Sequence, residues 1–80
     1  MINTKTELLK FIADNAVLNV EIKEEDSLKD DLGLDDLDVI ELVMNLEEEF
    51  NISIDDSVTE NLTTVQSIID YLQSQNITLK

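Results

Sequence analysis

The chain has no cysteine, histidine, arginine, proline or tryptophan, one glycine and only three aromatic residues. Without Cys no disulfide can staple the fold, and thiol chemistry and thiolate metal ligation are excluded. Without His the commonest general base and soft-metal ligand are missing. No unbroken apolar run exceeds three residues, against the roughly 20 that a membrane span requires. No basic stretch followed by an apolar segment opens the chain, so no secretory signal is expected and the cytoplasm is the expected compartment. With proline absent and Gly33 the sole glycine, no linker, repeat or low-complexity tract is visible. Eighty residues allow one domain, 1–80, around one small core.

Basic charge is also scarce. Nineteen acids face five lysines, for a formal net charge of -14. Such a surface repels phosphate backbones, which argues against nucleic acid as a partner. It favours high solubility and attraction to basic patches on other proteins. Hydrophobic residues make up 42% of the chain and fall in periodic blocks, which argues against disorder.

The pattern Thr4-x-x-Glu7 reads as a capping box. Leu8, Leu9, Ile12, Ala13, Ala16 and Val17 then recur at helical spacing, predicting a first helix over about 5–17. Residues 18–34 have no sustained period, only isolated apolar positions at Val20, Ile22, Leu28, Leu32 and Leu34. This is a long loop pinned to the core, of a length often tied to function. Within it, Ser27-x-x-Asp30 reads as a local cap. A second helix is predicted over Asp36 to Phe50 and a short third near Asp56 to Glu60. The fourth begins at Thr63 or Thr64, with Thr63-x-x-Gln66 as its capping box and Val65, Ile68, Ile69 and Leu72 facing inward. Asn76 supplies a left-handed stop, with Ile77 packing back. The expected class is all-α.

The second helix has two apolar faces. At about 100° per residue, Val39, Leu42, Val43, Leu46 and Phe50 share the arc expected to face the core. Leu37, Ile40 and Met44 lie roughly opposite, interleaved with Glu41, Glu47 and Glu48 and bordered by Asp38. A helix in a monomeric domain needs only one apolar face. Single exposed apolar residues are ordinary, but three in register suit docking into a groove. Methionine repacks easily against different partners, and surrounding acids would steer toward basic surfaces.

At "DDLGLDDLDVIELVMNLEEEF" the chain resembles acyl carrier proteins, whose motif is D-L-G-x-D-S-L followed by an acidic helix. The resemblance continues through "IDDSVTENLTTVQSIIDYL" and covers about Ser27 to Leu72. It implies a four-helix bundle, three helices longer and one short, with a long loop between the first two. It further implies a 4'-phosphopantetheine arm on the motif serine. Docking through the second helix would bring it to basic patches of acyl-transfer, fatty acid or polyketide enzymes and of the phosphopantetheinyl transferase. Asp31, Leu32, Gly33, Asp35 and Leu37 match the motif, while the serine position holds Asp36.

A hydroxyl is needed to form a stable phosphodiester; a carboxylate would yield a labile acyl phosphate. No arm is therefore expected on this chain. Asp36 is expected instead to cap free N–H groups at the helix start and to meet the positive end of its dipole. Ser27, in Asp26-Ser27-Leu28, and Ser57, in Asp56-Ser57-Val58, lack the surrounding motif. Two accounts of Asp36 stand: a paralogue that lost carrier activity and serves as an interaction scaffold or regulator, or a carrier whose serine was replaced deliberately. The expected docking residues are Asp35, Leu37, Asp38, Ile40, Glu41, Met44, Glu47 and Glu48. By resemblance an acyl cleft is expected along Leu42, Leu46, Phe50, Ile54, Ile68 and Leu72.

Other classes fit poorly. Enzymatic activity is not expected, since there is no His, Cys or Arg and no Gly-rich phosphate loop. A calcium hand fails because Leu32 falls at the third ligand position if Asp30 is the first. No specific metal site is expected, only weak cation binding that relieves self-repulsion. A monomer is expected. A structural bundle unrelated to acyl chemistry would show no affinity for acyl-transfer enzymes.

Overall fold

A computed structural model describes residues 2–16 and 21–80. Four helices follow in order: α1 (Lys5–Asn15), α2 (Asp36–Phe50), α3 (Asp56–Thr59) and α4 (Val65–Ser74). Among the described residues there is no strand, only an isolated antiparallel bridge between Ser27 and Thr64. Val17 and Val20, expected at the end of the first helix and in the loop, lie outside the described residues.

The helical periods place the core as expected. Leu8 and Ile12 of α1, Val39, Leu42, Val43 and Leu46 of α2, and Val65, Ile68, Ile69 and Leu72 of α4 are buried in one cluster. Phe50 packs against it half-buried.

The helix ends account for themselves. At α1, Glu7 N–H donates to Thr4 Oγ1 at 3.1 Å, as the capping box requires. The reciprocal arm is shifted by one residue: Glu7 Oε1 accepts from Asn3 N–H at 3.2 Å and from the Thr4 hydroxyl at 3.1 Å. These bonds, the Asn3 one foremost, hold the Glu7 carboxyl below its ordinary range. At the end of α4, Asn76 adopts φ 65°, and Ile77 N–H donates to Leu72 carbonyl at 3.2 Å while Asn76 N–H donates to Gln73 carbonyl at 3.1 Å. That is a Schellman closure, with Ile77 packed back on the core.

The cap of α4 corrects the sequence reading. Thr64, not Thr63, is the N-cap, and its partner is Ser67 rather than Gln66. The reason lies in the long loop. Val65 N–H donates to the Asp26 carbonyl at 3.0 Å and Gln66 N–H to the Glu24 carbonyl at 2.7 Å. Thr64 N–H donates to Ser67 Oγ at 3.0 Å and Ser67 N–H to Thr64 Oγ1 at 3.1 Å. All four donors that a helix start leaves open are thereby satisfied. Leu28 N–H adds a bond to the Thr63 carbonyl at 2.9 Å.

The loop is thus built into the start of α4, and Ile22, Leu28, Leu32 and Leu34 are buried beneath it. Ser27 performs its expected local capping, its Oγ accepting from Asp30 N–H at 3.2 Å. Gly33, at φ 71°, makes the left-handed turn that delivers Leu34 inward and leads the chain to α2. The termini are clasped together: Lys5 N–H donates to the Lys80 carbonyl at 3.1 Å and Lys80 N–H to the Asn3 carbonyl at 3.0 Å.

Candidate functional site: the outer face and first turn of α2

Because α2 turns Val39, Leu42, Val43 and Leu46 into the core, the opposite arc must face outward. Leu37, Ile40 and Met44 are 63%, 48% and 56% exposed, and they are the exposed large hydrophobics among the described residues. The loop does not cover them. Glu41 and Glu48 are exposed on the same helix.

The remaining expected docking carboxylates have work within the fold. Asp35 is the N-cap of α2: its Oδ1 accepts from Asp38 N–H at 2.8 Å, and Asp38 Oδ2 accepts from Asp35 N–H at 3.1 Å. Both side chains still reach solvent. Glu47 is half-buried, and its Oε2 accepts from Ile54 N–H at 2.8 Å. Its carbonyl also receives Ile52 N–H at 3.1 Å, across the left-handed Asn51 at φ 55°. Glu47 therefore fastens the α2–α3 connection.

Asp36, the first residue of α2, does not cap it; that role belongs to its neighbour. Its side chain is 84% exposed and pairs with Lys29 from the loop. The Lys29 ammonium, through its hydrogen bond and charge, holds the Asp36 carboxyl below the usual carboxylate range. The same bond raises Lys29 above an ordinary lysine. Lys29 escaped the sequence reading although a signal existed: it is the only basic residue between Glu24 and Leu79.

Beside this pair lies an open groove of about 760 Å³, bounded by Ser27–Asp30, the first turn of α2, and α3 with the residues after it. Leu28, Val39, Ile40 and Leu62 give it apolar surface. None of the expected cleft residues lines it. Leu42, Leu46, Ile68 and Leu72 are withdrawn entirely into the core, Ile54 is buried, and Phe50 is half-buried at the far end of α2. Their side chains fill the interior, whereas the short α3 leaves space along the flank of the first turn of α2. Ser27 borders the groove with its hydroxyl accepting from Asp30 N–H. Ser57 is exposed on α3.

Residues 7–72 match the family model described as a phosphopantetheine attachment site. The chain is also similar to a solved structure from Mycobacterium tuberculosis assigned as an acyl carrier protein. The two superpose with a TM-score of 0.82 at 27% identity, over 90% of this chain and 99% of that one. At residue 36, the attachment position expected from the resemblance, the structure presents a carboxylate ion-paired with Lys29 and no hydroxyl. No helix among the described residues is long and apolar enough to cross a membrane.

Proposed function

Because the chain belongs to the acyl carrier protein family, we propose that it docks on acyl-processing enzymes of fatty acid or polyketide biosynthesis through α2 and carries no arm itself. The observation that supports this most directly is the exposed stripe of Leu37, Ile40 and Met44 beginning beside an ion-paired carboxylate at residue 36.

Docking follows from the chemistry of that face. A net charge of -14 attracts a basic partner from a distance, and exposed acids such as Glu41 and Glu48 set its orientation. Burial of Leu37, Ile40 and Met44 then supplies short-range affinity, at about 25 cal/mol for each Å² of apolar surface removed from water. In this reading the chain has no catalytic role. It occupies acyl-processing enzymes as a scaffold or regulator.

The test is intact mass before and after incubation with coenzyme A and a broad-specificity phosphopantetheinyl transferase. The chain and its Asp36→Ser variant are treated in parallel. Mass gain by the variant alone is the expected result. Gain by the parent chain would shift the modification to Ser27 or Ser57 and overturn the reading of Asp36.

A further inference from the structure

Sulfur is confined to one place among the described residues. The chain has no cysteine, and of its two methionines only Met44 is described. No member of the buried cluster contains sulfur. Met44 lies exposed on the outer face of α2, one turn after Ile40 and one turn before Glu48.

A thioether so exposed is open to oxidation, which replaces a flexible apolar side chain with a polar, chiral sulfoxide. Position decides what that change does. In a core it would disrupt packing; here the interior holds no sulfur to lose. What changes is the apolar stripe of Leu37, Ile40 and Met44. A sulfoxide oxygen is a hydrogen-bond acceptor, and an apolar pocket on a partner leaves it unpaired. The surroundings also select the oxidant. Glu41 and Glu48 are exposed on the turns either side, on a chain of net charge -14. Such a face repels an anionic oxidant and leaves an uncharged peroxide free to approach.

We propose that Met44 is a redox-sensitive modification site, oxidised by a small uncharged peroxide, whose sulfoxide releases the chain from docking partners without unfolding it. The sulfur lone pair forms a bond to one peroxide oxygen and the O–O bond breaks. The proton left on the transferred oxygen passes to the departing hydroxide, giving water. Sulfur is oxidised by two electrons and the peroxide is reduced by the same two. Methionine sulfoxide reductases reverse the change, so the site acts as a switch. The proposal rests on the docking reading of α2 and adds a control on that surface.

The full chain is treated with hydrogen peroxide, which catalase then removes, and peptide mass mapping locates the added oxygen. Met44 should be oxidised at about the rate of N-acetylmethionine amide. Peroxymonosulfate, an anion, should oxidise Met44 several-fold more slowly than that amide at low salt, and added salt should narrow the gap. Equal relative rates with the two oxidants would overturn the choice of an uncharged peroxide. Affinity for an untreated phosphopantetheinyl transferase is then measured by calorimetry, without coenzyme A. The oxidised chain should bind at least about tenfold more weakly, with an unchanged thermal unfolding midpoint. Sulfoxide reductase should restore the affinity, and Met44→Leu should bind equally before and after peroxide. Equal binding by the parent chain in both forms would overturn the switch and leave docking standing. An untreated chain that does not bind would overturn the docking reading, and this proposal with it. A lowered midpoint, or affinity lost by Met44→Leu on oxidation, would also overturn the switch, since the effect would then come from the fold or from Met1.

Discussion

The Lys29 ammonium, carried on the loop, meets the Asp36 carboxylate at the first residue of α2. The pair joins the loop to the first turn of α2 across an exposed surface. Its electrostatic consequence can be measured directly. Asp36 should titrate below the ordinary carboxylate range, and Lys29→Met should return it toward that range, read by carboxyl-detected NMR. The sign follows from the lowered folded value. Its contribution is complete above the ordinary Asp pKa, about 3.9, and is lost as pH falls through the lower folded value. On the alkaline side, Lys29 contributes fully below about 10.4 and loses its part as pH rises through its raised value. An unshifted Asp36 would remove the pair.

Glu47 should separate from its acidic neighbours when each is replaced. Its carboxylate accepts the Ile54 N–H, so Glu47→Ala should lower stability by about 1 kcal/mol in denaturant unfolding. Glu48→Ala, exposed on the same helix, should stay within about 0.5 kcal/mol of the parent.

Charge reversal on the outer face of α2 should weaken docking. Glu41→Lys and Glu48→Lys are expected to slow association with an acyl-processing partner, and the loss should shrink as salt rises. Lys10→Glu, on α1, should change little. Equal effects from all three would count against α2 as the docking face.

The cap of α4 gives a comparison between adjacent threonines. Thr64→Ala removes the acceptor for Ser67 N–H and should cost about 1 kcal/mol. Thr63→Ala leaves its carbonyl bond to Leu28 N–H intact and should fall within about 0.5 kcal/mol of the parent. Thermal unfolding midpoints of the two variants distinguish them.

Gly33 offers a backbone test. A methyl group there meets open space, yet the residue sits at φ 71°. Gly33→Ala should therefore destabilise by about 1–2 kcal/mol through backbone strain alone. An unchanged midpoint in urea would show that the turn relaxes.

Much of the helical core was legible because periodicity reports which side of a helix is apolar. Leu42, Leu46, Ile68 and Leu72 were placed inward and are fully withdrawn. Leu37, Ile40 and Met44 were read as a second face and are exposed. Asn76 was read as a left-handed stop and adopts that conformation. The errors fall where a partner distant in sequence decides. Thr63 and Thr64 both fit a cap pattern, and the carbonyls of Glu24 and Asp26, some forty residues upstream, settle the helix start by meeting the N–H groups of Gln66 and Val65.

The ordering of residues by itself determined the helices, the inward and outward faces of α2, and the carboxylate at residue 36, because these depend on side-chain chemistry and on a period of 3.6 residues. Only the tertiary structure decided that Asp35 caps while Asp36 pairs with Lys29, that Glu47 fastens a connection, and that open space lies beside Val39 and Leu62 rather than along Leu46 and Leu72. Ion pairs, hydrogen bonds to distant backbone and packing voids belong to atoms brought together by folding, and no local pattern records them.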